Sequence, residues 1–256
     1  MSDTNGSNLP VTAPVVAPVI DAHKRPAFRY YDLLLATFVT VLLCSNLIGA
    51  GKVAVINLPG LGPVSYSAGV LFFPISYAFG DILTEVYGYA YDRRAVWAGF
   101  AAIVFAAIMS AVVVALPAAS DDYSSHFQVH LAAVFGNTPR IVLGSIVAFW
   151  VGSLVNSFVL AKMKLWTQGR HLWLRTIGST AIGEAFDSSL FYMLAFYAIW
   201  PTTQVIHVAL VQYLLKTSWE IVATPFTYWI VGALKRAENR DHFDRDTNFT
   251  PFRIKL

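Results

Sequence analysis

Six ionisable side chains lie within stretches of the sequence that are otherwise apolar. They form three pairs whose partners are three or four residues apart: Asp81 with Glu85, Glu184 with Asp187, and Lys216 with Glu220. Residues at this spacing share one face of an α-helix. A charge near the centre of a bilayer costs about 3 kcal/mol, so six charges facing lipid would outweigh the roughly 5–15 kcal/mol by which a small domain is stable. The three pairs must therefore face the interior of a helical bundle or an aqueous cavity.

The balance of these charges indicates what the bundle would bind. Five of the six groups are acids, and Lys216 is the one base among them. Some of the carboxyl groups must then be protonated, paired with Lys216, or held ready for a ligand that is cationic or rich in hydrogen-bond donors. We expect an open site for a donor-rich ligand. Asn46, Asn156 and Gln212 are further polar side chains in the same apolar stretches.

Two of the three pairs also have a purely structural explanation. The first pair lies near the expected cytoplasmic end of its helix, where it could bind Arg93 and Arg94. In the third pair, Glu220 could form a simple helical ion pair with Lys216. The second pair has no basic residue nearby in the sequence, so a role in ligand binding is favoured there.

The sequence favours neither metal chemistry nor enzyme chemistry. His126 and His130 share a helical face, as in some zinc sites, but no third ligand is fixed by spacing. We therefore interpret residues 118–139 as a solvated external loop and expect no metal and no cofactor. No phosphate-binding glycine-rich loop or nucleophile elbow occurs, so we expect no enzyme activity. The remaining enzymatic alternative is an intramembrane aspartyl-protease pair of Asp81 and Asp187, but the residues before Asp81 lack the Gly-x-Gly-Asp pattern.

The elements that must position these residues are membrane-spanning helices. Hydrophobic residues make up 56% of the 256 residues and charged residues only 13%, whereas soluble domains carry about 25% charged residues. A bilayer core about 30 Å thick needs roughly 20 apolar residues per helix. Six apolar windows have about this length: 32–50, 68–87, 95–117, 141–161, 176–199 and 206–234. The predicted fold class is an all-α integral membrane protein with six transmembrane helices.

The distribution of basic residues predicts the orientation of these helices. Of the 18 Lys and Arg residues, 15 fall before the first window or after the second, fourth and sixth. Basic residues in short loops remain in the cytoplasm, so both termini are expected there. The predicted transmembrane domain covers residues 30–234. A disordered, proline-rich tail at 1–29 and a charged tail at 235–256 flank it, and residues 52–67 form a turn-rich external loop.

Two of the predicted helices carry ladders of small residues four apart. The ladder of the third window is Ala98, Ala102, Ala106 and Ser110, and that of the fourth is Gly144, Ala148, Gly152 and Asn156. Such ladders allow helix backbones to approach closely in lipid. We favour packing within the chain, which leaves a homodimer or the docking of another subunit as the alternative.

The polar residues belong to a set of short motifs that extends over the membrane domain. Its N-terminal half contains Ser45-Asn46, Gly69, Phe73-Pro74, Tyr77, Asp81, Glu85, Tyr87-Gly88 and Arg93-Arg94. Its C-terminal half contains Asp187, the aromatic-rich run 191–200, Tyr213, Lys216, Pro225 and Tyr228. From about residue 30 to residue 236, this combination resembles the queuosine-precursor transporter family, also called the vitamin-uptake transporters.

The resemblance implies a function as well as a fold. It implies import of 7-deazaguanine bases, such as the cyano and aminomethyl precursors of queuosine, across the inner membrane of a bacterium, with no nucleic-acid partner. The implied fold is similar to that of the six-helix substrate-binding subunits of energy-coupling-factor vitamin transporters. A binding subunit that needs a separate energising complex is therefore the alternative function.

The residue roles follow from the chemistry of such a base. The predicted substrate-binding residues are Asn46, Phe73, Tyr77, Asp81, Glu184, Asp187 and Lys216, and the predicted gating or structural ion pairs involve Glu85, Arg93, Arg94 and Glu220. A guanine-like edge has two adjacent N–H donors, which a single carboxylate of Glu184 or Asp187 could accept. Asn46 and Lys216 are the expected donors to the carbonyl group of the base, and Tyr77 or Phe73 is the expected stacking surface. Asp81 is expected to be a site carboxylate or the gating partner of Arg93.

Overall fold

The computed structural model of the protein describes residues 28–49, 53–58, 62–67, 72–136 and 139–253. The predicted N-terminal tail lies outside the described residues up to position 27. The described residues form the helices α1 Tyr31–Cys44, α2 Phe73–Tyr87, α3 Tyr89–Ala115, α4 Asp122–Phe135, α5 Pro139–Trp166, α6 Leu172–Phe196 and α7 Thr202–Glu238. A π-helical segment, Ser45–Gly49, extends α1, and strands β1 Val53–Leu58 and β2 Gly62–Ser67 pair antiparallel.

Each of the six predicted windows coincides with a helix, namely α1, α2, α3, α5, α6 or α7. Among the described residues, three helical segments are long and apolar enough to cross a membrane: Tyr31–Ile48, Tyr89–Ala115 and Pro139–Trp166. Large apolar side chains on these helices are exposed, among them Phe105, Ile108 and Leu143. An apolar outer surface of this kind suits lipid better than water. The chain is a helical membrane protein.

The two predicted external loops contain regular structure. Residues 53–67 include the hairpin of β1 and β2, in which Val53 pairs with Ser67. The interpretation of residues 118–139 as a loop was wrong, because α4 occupies most of this stretch. Asp121 caps α4 by accepting a hydrogen bond of 2.8 Å from the backbone N–H of Ser124. No residue of α4 is buried.

Helices α5 and α6 pack closely where both carry glycine. A Cβ atom added to Gly152 would lie 2.8 Å from the Cβ of Asp187, and one added to Gly183 would lie 2.8 Å from the Cβ of Asn156. Real Cβ atoms do not approach so closely, so both positions need glycine. The small-residue ladder of α5 therefore packs within the chain, as we favoured, and this contact brings Asn156 and Asp187 to the same level of the bundle.

An apolar cluster holds α1, α2 and α3 together. Phe38 and Leu42 of α1 pack with Leu83 and Val86 of α2 and with Ile103 of α3. These side chains are at most 6% exposed. The cluster thereby fixes the orientation of α2, and of its acidic residues, relative to α1 and α3.

The C-terminal segment, residues 239–253, folds back over the end of the bundle where α2 meets α3. The buried carboxylate of Asp244 accepts hydrogen bonds of 3.2 and 3.1 Å from the backbone N–H of Tyr89, the first residue of α3. Arg93 donates from Nη1 to the carbonyl oxygens of Asn248 at 2.7 Å and Thr250 at 2.8 Å. The Nε1–H of Trp97 donates to the carbonyl of Pro251 at 2.9 Å. This segment therefore belongs to the packed structure of the domain.

Candidate functional site

A cavity of about 430 Å³ lies among α1, α2, α3, α5, α6 and α7. Its size falls within the roughly 300–1,000 Å³ of small-molecule sites in proteins. Its polar lining includes Asn46, Tyr77, Asn156, Asp187, Gln212 and Lys216. Four of the seven predicted substrate-binding residues, namely Asn46, Tyr77, Asp187 and Lys216, are thus brought together from four different elements. The backbone of Phe73 begins α2, but its side chain lies outside the described part of the structure.

Lys216 forms ion pairs with two carboxylates at the cavity wall. Its Nζ lies 2.5 Å from Oδ2 of Asp187 and 2.9 Å from Oε2 of Glu184. The Nζ of Lys216 also lies 5.7 Å from the centre of the Tyr77 ring. Lys216 therefore pairs with α6, so the predicted helical pair with Glu220 was wrong.

The two acids of α6 differ in their access to the cavity. Asp187 lines the cavity, with 12% of its side chain exposed. Glu184 is completely buried and is absent from the lining. Both carboxylates contact the ammonium group of Lys216. Glu184 does so from outside the cavity lining, whereas Asp187 presents a carboxylate oxygen to the cavity. This geometry favours Asp187 over Glu184 as the carboxylate that would accept the N–H donors of the ligand.

Asn46 lies in the π-helical segment that continues α1. Its Nδ2 donates to the carbonyl of Leu42 at 2.9 Å and to the hydroxyl of Ser45 at 3.3 Å. Its Oδ1 accepts from the hydroxyl of Ser145 at 3.3 Å. A primary amide has two N–H groups, so both have a partner within the chain, and the longer contact, to Ser45, is the one that a ligand could replace. π-Helical turns are frequent at functional sites, where they redirect a side chain. The amide of Asn46 is held in place at the cavity wall.

Aromatic side chains from the end of α6 form another part of the wall. Tyr192, Phe196 and Trp200 line the cavity, and the rings of Phe196 and Trp200 are stacked with their centres 4.1 Å apart. Tyr192 and Phe196 have ring centres 5.8 Å apart. A flat ligand could extend this stack.

Asp81 and Glu220 are buried but do not line the cavity. Asp81 is fully buried and accepts a hydrogen bond of 2.7 Å from Nδ2 of Asn156. Arg93 instead contacts the C-terminal segment, so the predicted gating pair of Asp81 with Arg93 was wrong. Asp81 and Asp187 have different partners, Asn156 and Lys216. This arrangement gives no support to an aspartyl-protease pair.

Glu85 is the centre of a buried ion cluster whose basic partners were not predicted. Its Oε1 lies 2.6 Å from Nζ of Lys235, 2.9 Å from Nη2 of Arg175 and 3.2 Å from Nζ of Lys164. The expected partners Arg93 and Arg94 are elsewhere, since Arg93 binds the C-terminal segment and Arg94 is exposed. The actual partners are 79 to 150 residues away in sequence, beyond the reach of local spacing.

Asp241 completes this ion cluster from the C-terminal segment. It lies 2.7 Å from Lys164 and 2.8 Å from Lys235. Burial alone would raise the pKa of Asp241, but hydrogen bonds from the two lysines outweigh burial and hold this pKa below its usual value. The cluster therefore ties the ends of α2, α5, α6 and α7 to the C-terminal segment.

The chain is similar to a known protein family and to a named bacterial protein. The family described as "Putative vitamin uptake transporter" matches residues 67–230. A protein of Bacillus subtilis (strain 168) named "Probable queuosine precursor transporter" is 34% identical over 193 residues, which cover 75% of this chain and 79% of that protein. No solved structure matches the chain. The family match contains every predicted site residue except Asn46.

Proposed function

This chain belongs to the vitamin-uptake transporter family, and we propose that it imports queuosine precursors across the bacterial inner membrane. The proposed substrates are 7-cyano- and 7-aminomethyl-7-deazaguanine or a related base. The name of the Bacillus subtilis relative supports this substrate class, and the chemistry of the cavity supports it independently.

The observation that carries the proposal is the carboxylate of Asp187 held beside the ammonium group of Lys216 in the cavity wall. A guanine-like edge has two adjacent N–H donors, and one carboxylate can accept both. The carbonyl group next to these donors would accept a hydrogen bond from Lys216, or from the amide N–H of Asn46 that otherwise donates to the hydroxyl of Ser45. The aromatic group of Tyr192, Phe196 and Trp200 offers a stacking surface for a flat base.

The proposed topology has six transmembrane helices, formed by α1, α2, α3, α5, α6 and α7, with both termini in the cytoplasm. It resembles the topology of energy-coupling-factor binding subunits. In this orientation, the hairpin and α4 lie outside, and the ion cluster of Glu85 lies at the cytoplasmic end. Phe135 of α4 and Trp200 of the α6–α7 connection both line the cavity. In this orientation, the cavity therefore reaches residues at the outer end of the bundle.

Uptake of a radiolabelled 7-deazaguanine base into liposomes that contain only this purified protein tests the proposal. We expect saturable uptake by the wild type and its loss in Asp187→Asn. Asp122→Asn is the matched control, because the same chemical change falls on a fully exposed side chain of α4; this variant should transport normally. Tight binding without uptake would support the alternative, a binding subunit that needs an energising partner. Absence of both binding and uptake would refute the proposed substrate class.

A further inference from the structure

Two polar side chains of the cavity wall have no partner within the described part of the protein. Gln212 of α7 lines the cavity, and its side-chain amide forms no hydrogen bond with any described residue. Ser188 of α6 also lines the cavity, is 3% exposed, and has a hydroxyl without a partner among the same residues. A buried polar group that lacks a partner costs free energy. A ligand that supplies the missing partner is therefore favoured at this part of the wall.

The hydroxyl of Ser188 is not used by its own helix. Helical hydroxyls commonly donate to the carbonyl group four residues earlier, as Thr40 and Thr224 do at 2.8 and 2.7 Å. Ser188 makes no such bond. Thr180 and Thr217 also lack a partner among the described residues, but neither of them lines the cavity. The hydroxyl of Ser188 is thus both unused and within reach of a ligand.

Gln212 and Ser188 are neighbours of the ion pair that Asp187 forms with Lys216. Gln212 precedes Lys216 by four residues, so the two share a face of α7, with Cβ atoms about 5–6 Å apart. Ser188 follows Asp187 directly on α6. A groove between the two helices is lined by Ser188 on one side and by residues of the turn 209–213 on the other. Ser188 therefore lies beside the turn of α7 that contains Gln212.

The order of chemical groups along the proposed substrate matches the order of these residues. In a 7-substituted 7-deazaguanine, the carbonyl group lies between the N–H donors of the six-membered ring and the substituent at position 7. When Asp187 accepts from the N–H donors and Lys216 donates to the carbonyl group, the substituent lies beyond Lys216. Of the residues one turn to either side of Lys216, Gln212 lines the cavity and Glu220 does not. The substituent is therefore directed towards Gln212.

We propose that Gln212, assisted by Ser188, binds the substituent at position 7 and thereby determines which bases the site accepts. The inference rests on the proposed transport of queuosine precursors. A cyano nitrogen only accepts hydrogen bonds, whereas an aminomethyl group is an ammonium at neutral pH, like a lysine side chain, and only donates. An amide and a hydroxyl each contain a donor and an acceptor. The same two side chains can therefore serve both substituents.

Titration calorimetry of the purified full-length protein tests this assignment with three bases: the cyano base, the aminomethyl base and unsubstituted 7-deazaguanine. The wild type should bind each substituted base about tenfold more tightly than the unsubstituted one, because one hydrogen bond is gained. In Gln212→Leu, which has a similar size and no polar group, this preference should disappear. Gln204→Leu is the matched control, since the same change falls on an exposed residue of α7; this variant should keep the preference.

Two further variants separate hydrogen bonding from shape. Gln212→Glu keeps the acceptor but removes the amide N–H donors, so the affinity ratio of the aminomethyl base to the cyano base should rise about tenfold or more. Ser188→Ala should reduce the preference for both substituted bases. Its matched control is Ser189→Ala, because Ser189 lines the groove between α6 and α7 but not the cavity; this variant should bind like the wild type.

Three results would overturn the inference. A wild type that binds the unsubstituted base as tightly as the substituted ones would do so even if every variant failed to fold. Equal weakening of all three bases by Gln212→Leu would show that Gln212 only shapes the cavity, and an unchanged preference in this variant would show that it plays no part. Failure of the wild type to bind any of the three bases would instead refute the proposed function, and the inference with it.

Discussion

Replacement of Lys216 by methionine removes the one cation that two buried carboxylates share. The Nζ of Lys216 contacts both Asp187 and Glu184, and the exposed fractions of the three side chains are 14%, 12% and 0%. Methionine preserves most of the apolar stem, so the change isolates the loss of charge. The variant keeps two acids at one site with no cation between them.

The cost of this change follows from the burial of the group. A solvent-exposed ion pair would contribute only about 0–1 kcal/mol. Breaking a buried pair by removing one partner typically costs about 3–5 kcal/mol, because a charge is left uncompensated. In a chain of this size, 1 kcal/mol corresponds to a shift of about 2–4 °C in the melting temperature. We therefore expect Lys216→Met to melt roughly 10 °C below the wild type.

Thermal unfolding of the detergent-solubilised variants measures this cost. Glu184→Gln alone should be much milder, because Lys216 keeps Asp187 as a partner. The double variant Lys216→Met, Glu184→Gln should be more stable than Lys216→Met alone, since it removes one of the uncompensated acids. The reasoning would be refuted if Lys216→Met melted with the wild type, or if the two changes were simply additive.

Three further perturbations test the packing, the ion cluster and the C-terminal segment. Gly183→Ala should destabilise the domain by about 1–3 kcal/mol, because the new Cβ would lie 2.8 Å from the Cβ of Asn156. Thermal unfolding should show no such loss for the control Gly232→Ala, where the atom nearest to the new Cβ is 3.6 Å away. Glu85→Gln should lower the free energy of unfolding by about 3–5 kcal/mol. Asp241→Asn should lower it by about 1 kcal/mol or less, because the side chain of Asp241 is 46% exposed. Equal melting temperatures of the two variants would contradict the conclusion that Glu85 is the more buried member of the cluster. Burial alone would raise the pKa of Asp244, but hydrogen bonds from His242, Thr247 and the backbone of Tyr89 lower it below the usual value. The stabilisation by Asp244 should therefore be complete at neutral pH and lost only as the pH falls below about 4. At neutral pH, hydrogen exchange of residues 239–253 should accordingly be fast in Asp244→Asn and slow in the wild type.

The helices and their inward polar faces could be predicted because lipid imposes a simple rule on the sequence. Apolar windows of spanning length identified six helices, and charges within them had to face inward. The spacing of Glu184 and Asp187 correctly indicated one shared face, and both contact Lys216. Local spacing was enough in this case because the two acids are on the same helix.

The partners of the charges could not be predicted, because they depend on how separate helices pack. Glu85 and Arg93 are eight residues apart in the sequence, yet they bind different parts of the fold. Glu85 binds α5, α6 and α7, while Arg93 binds carbonyl groups of the C-terminal segment. No period or motif marks residues 239–253 as a packed segment. Carbonyl groups, which every residue has, form most of its contacts with α3.

Binding of 7-cyano-7-deazaguanine to the purified protein, measured by titration calorimetry, tests most directly whether the Asp187–Lys216 cavity is the substrate site. We expect one saturable site in the wild type. Asp187→Asn should lose binding, and so should an analogue of the base without its exocyclic amino group, because each change leaves a buried polar group unpaired. Unchanged binding in both experiments would contradict the assignment of the cavity.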